Sequence, residues 1–302
     1  MHPHPEKKVS RGWRDLRARV LSALLLAPLG LFCIWWGGWL FTLLLIAGLA
    51  GAGTEWAGLL RQPRYSLRWL VLLAWPSISC GAALLGYWPE AFLMLLVPCV
   101  LGTWVGTGSI VIGCAGLSLL RLRFWDGSLW AGSYWDAVLF VLLVVWSSDS
   151  CAYFTGRIVG GPKLAPKISP GKTWSGSMGG LFGAACCAAG LALLLPAPPT
   201  PMSAAVILLR GGCVGILLGI MTQCGDLAES ALKRRFGVKD SGRLIPGHGG
   251  LLDRFDGLFV AAPVAALLAL SAPAGAGFFY ASTSVSAHAV AASEMPLRSI
   301  AK

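Results

Sequence analysis

Long apolar runs dominate the chain and give way only to short, mostly basic loops. Continuous apolar stretches lie near residues 20–36, 38–60, 69–88, 91–120, 137–158, 175–196, 203–224 and 257–274. They are rich in Leu, Ala, Val and Gly, without the alternating polar residues that a β-barrel strand needs. Runs of this length cross a hydrocarbon core of about 30 Å as helices. The stretch 91–120 exceeds one crossing, because a helix of that length rises about 45 Å. Thr103, Gly106 and Gly108 offer a break near its middle.

Charge in the loops sets the direction of each crossing. With the N-terminus inside, the loop of Arg61, Arg64 and Arg68 is also inside, and Pro89 and Glu90 are outside. If 91–120 crosses twice, the loop with Arg157, Lys163, Lys167 and Lys172 and the loop 230–256 both become cytoplasmic, as the positive-inside rule favours. A single crossing would put both outside. The pattern therefore predicts an all-α, polytopic integral membrane protein of about nine transmembrane helices, with the C-terminus outside. One cost is that Arg121 and Arg123 face outward, partly balanced by Asp126 and Asp136. Residues 1–19, with Lys7, Lys8, Arg11, Arg14, Arg17 and Arg19, read as a basic cytoplasmic leader before an uncleaved anchor. Residues 20–274 form the membrane domain and 275–302 a polar C-terminal tail.

Composition agrees with this reading. The 302 residues are 56% hydrophobic and 12% charged, where a soluble domain carries about 25% charged residues. The net charge of +11 resides in short loops, which suits lipid headgroups and anionic substrates and argues against nucleic acid. Nine cysteines form no C-x-x-C pair and read as small helix-packing residues. Small residues recur at four-residue spacing at Gly176, Gly180 and Ala184, then at Gly211, Gly215 and Gly219. Such ridges let helix backbones approach closely in lipid. Packing within one subunit is the plain expectation, with a homodimer seam as the alternative.

Two loops carry chemistry. Asp149 falls within an apolar helix, where an ionised carboxylate needs a partner. It is either a structural residue bonded to neighbouring helices or a ligand for a cation or substrate hydroxyl. After it come Arg157, Lys163, Lys167 and Lys172 with no acid among them, and Pro162, Pro166 and Pro170 enforce a non-helical loop. Gly171-Lys172-Thr173 hints at a P-loop, but Pro166 stands where the earlier glycine belongs and no strand is predicted ahead of it.

In the second loop, Asp226, Glu229, Ser230 and Lys233 share one helical face. The cations Lys233, Arg234 and Arg235 follow, then the turn His248-Gly249-Gly250. Asp253 and Asp256 stand three apart as the last span begins. Carboxylates at that spacing can hold Mg²⁺ against substrate phosphates, or can instead cap the helix and pair with Arg254. Together these residues predict a membrane enzyme that handles phosphorylated substrates with a divalent cation at the cytoplasmic interface.

The run from Ser230 through Lys233, Arg234, Arg235, Lys239, Asp240, Pro246, His248, Gly249, Gly250, Asp253 and Arg254 to Asp256 closely resembles the signature of the phosphatidate cytidylyltransferases, the CDP-diacylglycerol synthases. Ser148, Asp149, Ala152, Tyr153, Gly156, Arg157 and the segment Lys163 to Thr173 are similar to that family as well. Ser175 departs from it, since many relatives place a glutamate there. The resemblance implies cytidylyl transfer from CTP to phosphatidic acid, yielding CDP-diacylglycerol and pyrophosphate for phospholipid synthesis in the inner (cytoplasmic) membrane.

It also implies roles. Asp226, Asp253 and Asp256 become candidate Mg²⁺ ligands, with room for a second cation. Lys167, Lys172, Lys233 and Arg234 become phosphate-holding cations. Ser169, Gly249 and Gly250 become hydrogen-bond donors, His248 a phosphate contact or orienting group, and Arg254 and Asp149 further site residues. Three rivals remain for comparison. A CDP-alcohol phosphotransferase is disfavoured because no arginine follows Asp256-Gly257 in the required place. A CTP-dependent polyprenol or lipid kinase is closer in style, and only substrate assays separate it. An anion transporter would need symmetric halves with midplane breaks, and none is evident.

Overall fold

The structure is a computed structural model that describes residues 24–124, 135–194, 203–242, 244–245 and 249–271. The leader, the tail, Asp126 and His248 lie outside the described residues. The chain is built from helices: α1 (Leu24–Trp36), α2 (Gly38–Leu59), α3 (Leu67–Leu84), α4 (Trp88–Met94), a 3₁₀ turn (Val97–Leu101), α5 (Thr103–Arg123), α6 (Trp135–Ile158), α7 (Trp174–Leu194), α8 (Ala204–Arg235) and α9 (Leu252–Ser271). Six of them, α2, α3, α5, α6, α7 and α8, are long and apolar enough to cross a membrane. The protein is thus a multi-pass, all-α membrane protein. Its one two-stranded sheet among the described residues is a hairpin, β1 (Lys163–Ala165) paired antiparallel with β2 (Ser169–Thr173).

The stretch 91–120 breaks at Gly102, slightly earlier than Thr103, Gly106 and Gly108 suggested. Gly102 takes φ 127, a left-handed value that favours glycine, and Pro98 denies the preceding turn a backbone donor. Gly106 and Gly108 sit inside α5 instead, packed against Cys99 and Trp56. From the end of α3 the chain runs back past Trp75, whose Nε1 donates to the Met94 carbonyl at 2.7 Å. It reaches the start of α5, where Trp56 Nε1 donates to the Trp104 carbonyl at 3.0 Å.

Two ends of the bundle can therefore be told apart. At one, Trp56 near the end of α2 meets Trp104 at the start of α5, and Trp104 packs edge-on against Phe236 beyond α8 at 5.5 Å. At the other, Arg121 lies over the Trp88 ring at 5.2 Å, and Arg123 Nε donates to the Ile34 carbonyl at 3.1 Å. Arg123 is buried and within electrostatic reach of Asp136. The predicted balancing partner Asp136 is thus in place.

The small-residue ridges pack inside the chain. A Cβ on Gly176 or Gly180 would meet the Ala152 or Ser148 carbonyl of α6, and one on Gly211 or Gly215 would meet the α7 backbone at Ala189 or Ala184. Helices α6, α7 and α8 are pressed together nearly backbone to backbone. All nine cysteines are free; Cys33 and Cys80 are buried, whereas Cys99, Cys186, Cys213 and Cys224 lie on exposed helix surface.

Candidate active site

Helix α8 carries the site because it is longer than a membrane is thick. Its 32 residues rise about 48 Å against a core of about 30 Å. The excess is its polar C-terminal part, from Asp226 to Arg235. Helix α9 begins at Leu252, earlier than the apolar run suggests, so Asp253 and Asp256 occupy its first turns. The two helices meet where Gly225 lies on the Asp256 carbonyl and Gly257 lies on Thr222. A side chain at either glycine would force them apart. This contact sets Asp226 beside Asp256.

The acids then divide into two groups. Asp256 is within electrostatic reach of Asp226, Glu229 and Asp149, and Asp149 feels Asp226 and Lys172. The nearest cation is Lys172 on β2, whose Nζ is 2.5 Å from Asp226 Oδ2. The second group centres on Lys233. Its Nζ lies 2.6 Å from Glu229 Oε2 and 2.7 Å from Asp253 Oδ1, with all three side chains largely buried.

Asp253 also accepts from the backbone N–H of Ser241 at 3.0 Å and of Gly250 at 3.1 Å. It stands in the polar first turn of α9, before the apolar part that starts at Gly257. Burial pushes its carboxyl up, but the bonds from Lys233, Glu229 and Ser241 outweigh this and hold it down at about 2.

The hairpin is fixed by its neighbours. Thr173 Oγ1 accepts from the Gly176 N–H at 3.1 Å and so caps α7. Ser175, the departure from the family signature, donates its hydroxyl to the Gly160 carbonyl beyond α6. At the hairpin tip Arg234 Nε donates to the Ile168 carbonyl at 3.2 Å. The two charged loops, 54 residues apart in sequence at Lys172 and Asp226, therefore converge at one end of the bundle.

The sequence-predicted residues fall around this centre. Lys172, Asp226, Asp256 and Asp149 come together; Lys167 and Arg254 are exposed nearby, and Ser169 starts β2. Gly249 adopts φ 89 and its carbonyl accepts from Ile245 N–H at 3.0 Å. Gly250 N–H, expected to face a phosphate, is engaged by Asp253. Lys233 is tied between two carboxylates instead of open to solvent.

Sequence reasoning missed Glu55, a buried carboxylate of α2 that accepts from three groups of the 241–252 segment. Its signal was available: a lone acid in an apolar span.

Among the described residues no three His, Cys, Asp or Glu side chains already stand at metal-binding geometry. The chemistry of the donor set nonetheless fits a hard divalent ion. Asp226, Asp256 and Asp149 offer only oxygen, and a single lysine ammonium, Lys172 on Asp226, stands among three acids. Beside them an apolar cavity of about 550 Å³ opens between α2, α5, α8 and α9, with Trp56, Trp104, Leu232 and Phe259 in its wall and Glu229 and Asp256 at its polar side.

Cations able to hold phosphates, set beside clustered carboxylates at the end of a membrane helix bundle, define a class of membrane-embedded transferases acting on phosphorylated compounds. The chain belongs to the cytidylyltransferase family, whose sequence pattern matches residues 17–272. It is 42% identical over 262 residues to the phosphatidate cytidylyltransferase of Brucella suis biovar 1, covering 82% of this chain and 91% of that one. It is 34% identical over 283 residues to the phosphatidate cytidylyltransferase of Pseudomonas aeruginosa, covering 86% and 99% respectively.

Proposed function

We propose that the protein transfers the cytidylyl group of CTP to phosphatidic acid, releasing pyrophosphate and CDP-diacylglycerol. The observation that carries this is the ion pair between Lys172 of the hairpin and Asp226 of α8, which joins the two signature loops into one centre. A phosphatidate oxygen attacks the α-phosphorus of CTP. The new O–P bond forms as the bond to the bridging α–β oxygen breaks, and pyrophosphate leaves. Phosphatidate is already an anion, so a strong base is dispensable; the task is to hold two anions together and stabilise the departing charge.

Lys172, Lys167 and Arg234 hold phosphate oxygens, Ser169 donates to them, and His248 contacts phosphate or orients a ligand. Lys233 and Asp253 keep the walls of the centre in place. Asp226 and Asp256, with Asp149, would hold Mg²⁺, which supplies positive charge against the leaving pyrophosphate. With Asp226 so engaged, Lys172 would be available to substrate phosphates. Asp253 would join Asp226 only if Lys233 released it. The apolar cavity beside Asp256 suits the glycerol and acyl portion of the lipid.

We place the centre on the cytoplasmic face of the inner membrane, with nine crossings. The short helical pieces from Trp88 to Leu101, running from the end of α3 to the start of α5, support the extra crossing. A reporter fused after Lys302 is expected to face away from the cytoplasm; a cytoplasmic signal sinks the odd count.

Purified protein in mixed micelles with CTP, phosphatidate and Mg²⁺ tests the activity. Pyrophosphate and CDP-diacylglycerol should form together. CDP and a phosphorylated alcohol would instead mark a lipid kinase, and solute flux in vesicles without pyrophosphate a transporter.

A further inference from the structure

Glu55 comes from α2, far in sequence from either signature loop, and is buried with 6% of its surface exposed. A buried carboxylate at the end of an apolar span is costly unless its oxygens are satisfied. Here each is. Oε2 accepts from the Leu252 N–H at 2.9 Å and from the Ser241 hydroxyl at 3.3 Å, and Oε1 accepts from the Leu244 N–H at 3.4 Å. The three donors bracket the segment that carries the Gly249-Gly250 turn and leads into Asp253. Two glycines make the approach feasible: a Cβ on Gly242 or Gly250 would run into the Glu55 carboxylate.

The same segment is fastened from its other side by Asp253, through the N–H groups of Ser241 and Gly250. Ser241 is thus shared, with its N–H on Asp253 and its hydroxyl on Glu55. One carboxylate from α2 and one from α9 grip Ser241, Leu244, Gly250 and Leu252, and among the described residues between them Ile245 and Gly249 form an isolated bridge.

We infer that Glu55 is a positioning residue for cytidylyl transfer: its carboxylate holds Ser241, Leu244 and Leu252, and so fixes where Gly249 and Gly250 stand toward the nucleotide. This rests on the cytidylyltransferase reading given above. Glu55 touches no reacting atom. It acts by fixing the loop, and a displacement of about 1 Å at such a site costs on the order of 10²-fold in rate.

The test uses the full-length protein in lipid micelles, with Glu55→Gln and Ser241→Ala as variants. Gln keeps one acceptor oxygen and places an NH₂ where the other stood, so it cannot satisfy all three donors. For E55Q, kcat is expected to fall roughly 10–100-fold while KM for phosphatidate stays within about twofold and the unfolding midpoint falls only by what one buried hydrogen bond contributes. Amide hydrogen exchange of 241–252 should accelerate, with that of α2 unaltered.

S241A removes one donor and leaves the two backbone donors, so its loss should be several-fold. In the double variant the effects should be less than multiplicative. Wild-type kcat in E55Q overturns the inference, and so does faster turnover loss with unaltered exchange in 241–252. If E55Q does not fold, S241A decides: unchanged kcat and exchange there also overturn it. The exchange measurement needs no substrate. Wild-type protein inert toward CTP and phosphatidate would sink the enzymatic reading alone.

Discussion

Replacing Asp226 or Asp256 by Asn should lower pyrophosphate release by about 10³-fold while leaving protein insertion and the unfolding midpoint near wild type. The magnitude is that of losing a charge placed directly at the reacting groups in a low-dielectric site. Both carboxylates lie across the close contact of α8 and α9, and both are within reach of Asp149. On the proposed metal-holding role, an amide in place of one carboxylate takes a negative charge from the set that would hold a divalent ion. It also loosens Lys172, which is paired with Asp226. The half-saturating Mg²⁺ concentration should rise at least about tenfold in the residual activity. An Asn variant with ordinary rate and ordinary Mg²⁺ dependence would remove that residue from the centre.

Lys233→Met should act on stability as well as on rate. Lys233 separates two largely buried carboxylates, Glu229 and Asp253. Without its charge they face each other with no cation between them, and Glu229 loses its ion-pair partner. Removing one member of a buried ionic group costs about 3–5 kcal/mol, and here two acids lose their partner together. The variant should show a clearly lowered unfolding midpoint and a rate below about a hundredth of wild type, because Asp253 and the loop it grips shift together. Adding Glu229→Gln should recover much of the midpoint, since Asp253 still has two backbone donors. An unchanged midpoint in the single variant would mean that Lys233 is solvated and not locked between acids.

Much of this arrangement could be read in the residue pattern. The apolar runs locate the membrane helices to within a few residues, because lipid imposes length and composition on them directly. The helical face joining Glu229 to Lys233 follows from spacing, and the structure has that ion pair. Features set by contacts between distant segments were harder to see. The Lys163–Thr173 loop, expected from its prolines only to be non-helical, pairs into a hairpin in which Pro162 precedes β1, Pro166 lies in the turn and Pro170 falls between the paired positions of β2. Gly250 looks like a phosphate donor in sequence, yet its N–H turns to Asp253. Glu55 carries no local motif, and its partners lie close to two hundred residues downstream.

The near-contact of main chains at Gly225 and Gly257 has a consequence for how this centre tolerates change. The gap between Asp226 and Asp256 is bounded on one side by peptide against peptide, where Gly225 meets the Asp256 carbonyl, and on the other by the Thr222 methyl against Gly257. Sequence drift on the lipid-facing surface therefore leaves the gap untouched. A single methyl group added at Gly225 would meet the Asp256 main chain and slide one acid along the other.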